Sequence, residues 1–285
     1  MSELRQRMID EMTLRGFSPR THESYLDVVT GLARYYMKPP DQLREEDVRQ
    51  YLLYLERERH LSWNSLNVTA SGLRFLYVDT LKWDPMEMVI PRRKAQTRLP
   101  EVLSREEIEC LLGGVSNVKH HALLTTTYAA GLRLNEVIRL RVTDLDSARM
   151  LIRVEQGKGN KDRYTILSPR LLEELRGYWK SCRPKTWLFP GKDPDGAMNE
   201  STPQRIYMQA RQRAGIQKRG GIHTLRHCFA THLLEMGVDL PTIQALMGHT
   251  SVTTTMRYIK LRQHHFTSNP GKFDLLVVPP KPPNA

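Results

Sequence analysis

Apolar residues recur at helical spacing through most of the first 88 residues of the chain. The segment SPRTHESYLDVVTGLARYY, residues 18–36, has Ser18 as a predicted N-cap and Pro19 in the first turn. One side of this helix is apolar and predicted to be buried, and it carries Tyr25, Val28, Val29, Leu32 and Tyr36. Two further segments have a similar periodicity: residues 44–60 and 62–81. Residues 1–88 are therefore predicted to form a small helical domain.

A second domain is predicted for residues 103–265. Its periodicity is helical except in one β-type segment. The domain begins at LSREEIECLLGGV, where Ser104 is the predicted N-cap. In MLIRVEQGKGNKDRYTIL, residues 150–167, two β-type runs flank a glycine-rich turn at residues 157–160, which predicts a hairpin. The pattern after the hairpin is helical again, and a proline-rich tail, residues 266–285, ends the sequence. The predicted fold is mainly α, in two domains, with a small β-hairpin or sheet.

The predicted linker between the two domains, residues 89–102, is basic. Between Pro91 and Pro100 it contains no acidic residue. Its basic residues are Arg92, Arg93, Lys94 and Arg98. Such a segment can be only a tether, but an all-basic linker beside a basic domain is expected to lie along a DNA backbone. These four residues are therefore candidate DNA-binding residues.

The charge of the chain favours a polyanionic partner. Lys and Arg number 43 against 31 Asp and Glu, which gives a formal net charge of +12. A hydrophobic content of 40% is typical of a folded globular protein, so nucleic acid is a better candidate partner than a membrane. No apolar run approaches the length of a membrane span, and the opening residues lack a signal-peptide core. Three widely spaced cysteines also suit a reducing compartment, and we expect a cytoplasmic protein.

The segment GGIHTLRHCFATH, residues 220–232, contains two histidines at metal-binding spacing. His223 and His227 are four residues apart, which lets two imidazoles share a zinc ion on a helix. The hydrolytic zinc motif has a glutamate directly after the first histidine, however, and here that residue is Thr224. The nearest cysteine, Cys228, points about 100° around the helix from His227. The metal hypothesis is therefore weak, and no metal is expected.

The same segment is predicted to be a packed helix whose first turn binds phosphate. Its apolar stripe consists of Leu225, Cys228, Phe229, His232, Leu233 and Met236, which makes His232 a predicted hydrogen-bonded core residue. Thr224 is the expected N-cap. His223 and Arg226 lie where backbone N–H groups and the helix dipole favour an anion.

Four motifs follow one another in the second domain: GLRLNEV, GKGNKDR, HTLRH and LMGHTSVTTTMRY. They contain Arg133, Lys158, His223, Arg226, His249 and Tyr258. In this order and spacing they resemble the catalytic domain of the tyrosine recombinases, the family of phage integrases and Xer-type recombinases. The match spans residues 99–262, and the N-terminal domain resembles the family's SAM-like DNA-clamping domain more loosely. The resemblance implies a site-specific DNA recombinase whose catalytic domain is residues 103–265.

The resemblance also implies roles for the residues of these motifs. Tyr258 is the expected nucleophile, which forms a 3′-phosphotyrosine, and Lys158 is expected to protonate the departing 5′ oxygen. His223 is the expected general acid or base, and His249 is expected to hydrogen-bond the phosphate. His227 belongs to the motif and is assigned a supporting role.

Two arginines can neutralise the charge of a phosphodiester in place of a divalent cation. The planar guanidinium groups of Arg133 and Arg226 match the non-bridging oxygens, so no metal and no other cofactor is expected. Arg139 and Arg141 are nearby and make a surface arginine the alternative interpretation of Arg133. We prefer Arg133 because Glu136, one turn further on, has the i, i+3 spacing to orient it.

The expected partners are double-stranded DNA with paired inverted-repeat sites and other copies of the chain in a synaptic homotetramer. The alternatives are a non-cleaving DNA-binding regulator on the same scaffold and a type IB-like topoisomerase. A metal-dependent nuclease is disfavoured because the sequence lacks clustered Asp and Glu ligands. Integration, excision, dimer resolution and transposition share this chemistry. The apolar run FDLLVV, residues 273–278, either packs on its own domain or passes to a neighbouring subunit.

Overall fold

The computed structural model describes residues 2–84, 101–155 and 162–248. The chain divides into two compact units, Met1–Arg98 and Leu99–Ala285. Both are mostly helical, as predicted. No helix in the described ranges is long and apolar enough to cross a membrane. The predicted tail, residues 266–285, lies outside the described residues.

The N-terminal unit is helical throughout the part that the structure describes. Its helices are α1 (Glu3–Leu14), α2 (Pro19–Tyr36), α3 (Glu45–Arg57) and α4 (Trp63–Arg74), with a 3-10 turn at Pro40–Gln42 and a π-helical segment at Phe75–Thr80. The predicted N-cap of α2 is confirmed, since Ser18 Oγ accepts a hydrogen bond from the Thr21 N–H. Leu32 is fully buried, and the rest of the predicted apolar side packs against the core from partly exposed positions.

The C-terminal unit packs helices around a small sheet. Its elements are α5 (Arg105–Gly113), α6 (Val118–Ala129), α7 (Leu134–Ile138), a 3-10 turn (Val142–Asp144), β1 (Leu145–Asp146), β2 (Leu151–Val154), β3 (Arg163–Ile166), α8 (Pro169–Cys182), α9 (Ser201–Arg213), α10 (His223–Glu235) and α11 (Leu240–Met247). Ser104 caps α5 through a hydrogen bond from the Glu107 N–H, as predicted.

The sheet is antiparallel, with strand order β1–β2–β3. The two strands of the predicted hairpin are confirmed, and Val154 pairs with Arg163 at the end nearest the turn. Ile152 and Val154 are buried while Arg153 between them is exposed, as strand alternation requires. The strand β1 was not predicted, because two residues are too few to show an alternating pattern. The predicted glycine-rich turn, residues 157–160, lies outside the described residues.

The helix α10 is buried on nearly every side. Its buried residues are Thr224, Leu225, Arg226, Cys228, Phe229, Ala230, Thr231, His232 and Leu234. The predicted stripe was wrong for Met236, which is 66% exposed. The N-cap prediction was also wrong. The N–H of Thr224 donates to Gly221 O, so the chain already turns helically before His223 and Thr224 lies inside the helix.

His232 ties the start of the C-terminal unit to its core. Its Nε2 lies 3.0 Å from the Leu103 carbonyl oxygen and its Nδ1 lies 2.8 Å from the Tyr128 hydroxyl. The residue is 6% exposed. The prediction of a hydrogen-bonded core histidine is confirmed.

We expect His232→Leu to lower the free energy of unfolding by about 1–3 kcal/mol, because it leaves the Leu103 carbonyl and the partly buried Tyr128 hydroxyl without their partner. Urea unfolding followed by circular dichroism measures the loss. Met236→Ala, an exposed change at the end of the same helix, is the control and should stay within about 0.5 kcal/mol of the unmodified protein. Equal losses in the two variants would contradict this role for His232.

Candidate active site

Arg133 is held in place by a glutamate one turn further along the chain. It stands at the N-cap position of α7, where its backbone N–H donates to Glu136 Oε2 at 2.7 Å. Its Nη1 donates to Glu136 Oε1, also at 2.7 Å. The predicted i, i+3 pair is therefore present. The side chain of Arg133 stays 22% exposed and that of Glu136 only 6%, so the carboxylate is the fixed partner of the pair.

Arg226 approaches the same carboxylate from α10. Its guanidinium donates to the carbonyls of Gly131 and Met247, and its Nη1 lies 3.6 Å from Glu136 Oε2. Its side chain is 6% exposed. A buried guanidinium needs fixed acceptors to offset its lost hydration, and the two carbonyls and the carboxylate supply them.

A third arginine, Arg163, completes the cluster, and the sequence reasoning assigned it no role. It opens β3, and its Nη1 and Nη2 donate to the two oxygens of Glu136 at 2.7 and 2.9 Å. Its Nε donates to the Leu246 carbonyl at 3.1 Å. One signal was available in the sequence. Strand alternation places Arg163 on the same face as the buried Thr165, and a charge on an inward face implies a buried partner.

The cluster carries more positive than negative charge. Burial raises the pKa of Glu136, but the hydrogen bonds and charge of Arg163, the Arg133 backbone N–H and the charge of Arg226 outweigh it. The net effect is a pKa below the ordinary value, so Glu136 is ionised. One carboxylate against three guanidinium groups leaves two positive charges. Such a site favours a bound anion.

The C-terminal end of α11 closes the cluster. The last carbonyls of this helix accept one hydrogen bond from each guanidinium: Leu246 from Arg163, Met247 from Arg226, and Gly248 from Arg133 at 3.0 Å. The negative end of the helix dipole faces these cations. Gly248 ends the helix with φ of +59°, a left-handed conformation that favours glycine. The chain thus leaves the cluster one residue before His249.

His223 begins α10, one turn before Arg226. Desolvation of its ring lowers the pKa, and the charges of Arg226 and Arg133 lower it further against an opposing effect of Glu136. The residue remains open to solvent. A neutral imidazole at this position can accept a proton at neutral pH. His227, one turn further along, is half-buried.

The structure brings Arg133, Glu136 and Arg226 into contact and places His223 beside them. The remaining predicted site residues lie outside the described residues: Lys158, His249, Tyr258, Arg92, Arg93, Lys94 and Arg98. Within the described ranges, no group of three or more His, Cys, Asp or Glu residues is arranged to hold a metal ion.

An open cavity of about 560 Å³ lies beside Arg133. Three further arginines line it: Arg139, Arg141 and Arg153. Arg141 was one of the alternatives to Arg133, but here its Nη1 lies 3.8 Å from Glu155 and its backbone N–H donates to Asp144. Three acidic residues line the cavity as well: Glu136, Asp144 and Glu155.

Comparison with known proteins identifies the family. Residues 101–265 match the model described as "Phage integrase family", and residues 4–85 match "Phage integrase, N-terminal SAM-like domain". The chain belongs to the phage integrase family. As a tyrosine recombinase, it combines a SAM-like N-terminal domain with an integrase catalytic domain, and the predicted fold class is confirmed.

Individual tyrosine recombinases are similar over most of their length. A putative integrase/recombinase, y4qK, of Sinorhizobium fredii is 46% identical, with 100% of this chain and 93% of the relative covered. The tyrosine recombinase XerA of Thermococcus kodakarensis is 32% identical, with 93% of each covered. A lambda integrase tetramer bound to a Holliday junction has the same fold, with a TM-score of 0.74 at 17% identity, covering 89% of this chain and 75% of that one.

We expect the pKa of His223 in the DNA-free recombinase to lie below 6.5, its ordinary value, in an NMR titration of the imidazole signals. Arg133→Gln should raise this pKa, because it removes a neighbouring positive charge that opposes protonation. Arg149→Gln is the control, since Arg149 is 77% exposed and pairs with Asp146 in the turn before β2. A His223 pKa above 6.5, or one that falls in Arg133→Gln, would overturn the electrostatic description of the site.

Proposed function

We propose that this site-specific recombinase cleaves and rejoins DNA through a 3′-phosphotyrosine at Tyr258. Site-specific recombination is the activity of the family to which the chain belongs. The observation that carries the mechanism is the cluster of three guanidinium groups around Glu136, since these four side chains together have a net charge of +2. A phosphodiester brings one negative charge and gains a second in the pentacoordinate transition state, so attraction increases as the reaction proceeds.

In this mechanism, Arg133 and Arg226 bind the non-bridging oxygens of the scissile phosphate. A guanidinium has five N–H donors, and the Arg133 side chain uses two of them on Glu136 and the Gly248 carbonyl. Its partial exposure leaves other donors accessible to a phosphate. Arg226, buried behind it, adds charge at a fixed position. Fixed donors stabilise the transition state without reorganising during the reaction.

Proton transfer requires groups on both sides of the phosphorus. His223, neutral in the DNA-free protein, is the proposed base for the hydroxyl of Tyr258. Lys158 is the proposed acid for the departing 5′ oxygen, and His249 the proposed hydrogen-bond donor to the phosphate. The support for these assignments is the position of each residue in its motif. His227 is proposed to support the helix that carries His223 and Arg226.

The proposed DNA-binding surface involves both domains. The SAM-like domain, residues 1–88, and the linker, residues 89–102, are proposed to clamp a duplex, with contacts from Arg92, Arg93, Lys94 and Arg98. In the catalytic domain, the cavity beside Arg133, which four arginines and three acidic residues line, is proposed to contact the DNA backbone. By analogy with the lambda integrase tetramer on a Holliday junction, we propose that four copies assemble on paired inverted-repeat sites.

A non-cleaving DNA-binding regulator is the main alternative. It would need a missing catalytic residue, whereas the motifs retain the tyrosine, the lysine, both histidines and both arginines. A topoisomerase would use the same tyrosine chemistry but would relax any supercoiled plasmid. A covalent adduct that forms only on a specific paired site separates recombination from both alternatives.

We expect a covalent protein–DNA adduct on a nicked duplex that carries the recombinase's inverted-repeat site, detected on a denaturing gel. Tyr258→Phe should abolish the adduct, because phenylalanine has no nucleophilic oxygen. Tyr164→Phe is the matched control, since Tyr164 is an exposed tyrosine of the same domain, and its adduct should equal that of the unmodified protein.

The same assay is repeated in excess EDTA, because guanidinium groups replace the divalent cation in this mechanism. Adduct formation should continue unchanged. An adduct that persists in Tyr258→Phe would contradict the choice of nucleophile. Loss of the adduct in EDTA, with recovery on adding zinc or magnesium, would contradict the metal-free mechanism.

A substrate whose leaving group needs no proton tests which lysine of GKGNKDR is the general acid. We expect Lys158→Ala to cleave ordinary DNA very slowly and to recover on a substrate whose 5′ bridging oxygen is replaced by sulfur, because a thiolate leaves without protonation. Lys161→Ala should show only weaker DNA binding that declines with added salt. If sulfur restored cleavage in Lys161→Ala and left Lys158→Ala inactive, the two assignments would be reversed.

A further inference from the structure

Arg163 contacts both of the elements that position the catalytic arginines. Two of its nitrogens bind both oxygens of Glu136, and its third binds the Leu246 carbonyl at the end of α11. Its side chain is 10% exposed. All three nitrogens of this guanidinium therefore have protein acceptors, which leaves it poorly placed to bind DNA itself.

Arg163 is linked to the other two arginines through the carboxylate of Glu136. Its Oε1 accepts from both Arg163 and Arg133 at 2.7 Å. Its Oε2 accepts from Arg163 and from the Arg133 backbone N–H, and lies 3.6 Å from Arg226 Nη1. The paired hydrogen bonds from Arg163 fix the plane of the carboxylate, and that plane sets the direction in which Arg133 and Arg226 point.

The end of α11 is the second element held by Arg163. The Leu246 carbonyl accepts from Arg163, and the next two carbonyls accept from Arg226 and Arg133. Contact with Gly248 is close, because a Cβ there would lie 2.5 Å from Arg163 Cδ. Any side chain at this position would displace Arg163. The helix end, Arg163 and Glu136 thus form one continuous support.

We infer that Arg163 is a positioning residue for strand cleavage: it holds Glu136 and the end of α11 so that Arg133 and Arg226 face the scissile phosphate. This inference rests on the proposed function. Lysine cannot replace it, because a single ammonium group cannot bind both carboxylate oxygens and a carbonyl in one plane.

The test compares Arg163→Lys with Arg149→Lys, a change of the same kind at an exposed position in the same domain. We measure single-turnover cleavage of the nicked duplex, its dissociation constant, and the melting temperature. Arg163→Lys should cleave at least about tenfold more slowly, because small misplacements of catalytic groups have large effects on rate. Its dissociation constant should stay within about twofold, because Arg163 does not touch DNA. Arg149→Lys should match the unmodified protein in all three.

A double-mutant cycle separates positioning from a general structural role. In an Arg226→Ala background, Arg163→Lys should slow cleavage by a smaller factor than in the unmodified protein, because one of the two groups that it positions is already gone. A loss of folded protein would instead reduce activity by the same factor in every background. Equal losses with and without Arg226 would overturn the inference.

A second variant keeps the test decisive if Arg163→Lys does not fold. Replacing both partners, in Arg163→Gln with Glu136→Gln, removes one positive and one negative charge together, so the net charge of the cluster stays the same. This double variant should cleave no more slowly than Glu136→Gln alone, and a further tenfold loss would overturn the inference. Cleavage by the unmodified protein tests the proposed function separately from the inference on Arg163. If it forms no adduct the proposed function fails, and if it forms one while Arg163→Lys keeps the full rate, only the inference fails.

Discussion

The ionised carboxylate of Glu136, shared by three guanidinium groups, is the interaction on which the catalytic site depends. Without it, three cations would be concentrated in a largely buried space with only backbone carbonyls to offset their charge. Removing one partner of a buried ion pair commonly costs about 3–5 kcal/mol. With it, the cluster keeps two positive charges at fixed positions. The same arrangement therefore stabilises the fold and keeps the positive charge that the proposed mechanism uses to bind a phosphate.

This constraint explains why the site draws on distant parts of the chain. Arg133 comes from the start of α7, Arg163 from β3 and Arg226 from α10, and all three reach the carbonyls at the end of α11. Each element alone has an ordinary local role as a turn, a strand or a packed helix. Together they place Gly248, the residue before His249 in the sequence, against the guanidinium cluster.

The burial of α10 on nearly every side could not be predicted from its apolar periodicity. A stripe of apolar residues predicted one buried side, and that prediction is right for Leu225, Cys228 and Phe229. The opposite side is buried too, because Arg226 faces the carboxylate of Glu136 rather than solvent. Thr224 is buried within the helix instead of capping it. A helix that packs against neighbours on nearly every side has no polar face for periodicity to detect.

Local chemistry accounts for what the sequence determined by itself. The caps at Ser18 and Ser104, the hairpin strands, the stop at Gly248 and the pairing of Arg133 with Glu136 all act over a few residues, so spacing alone predicts them. The family motifs identified the recombinase for the same reason, since each motif is contiguous. Only the tertiary structure decided that Arg163 shares Glu136 with Arg133. Arg163 and Glu136 lie 27 positions apart, and no local pattern specifies which distant carboxylate a buried guanidinium will bind.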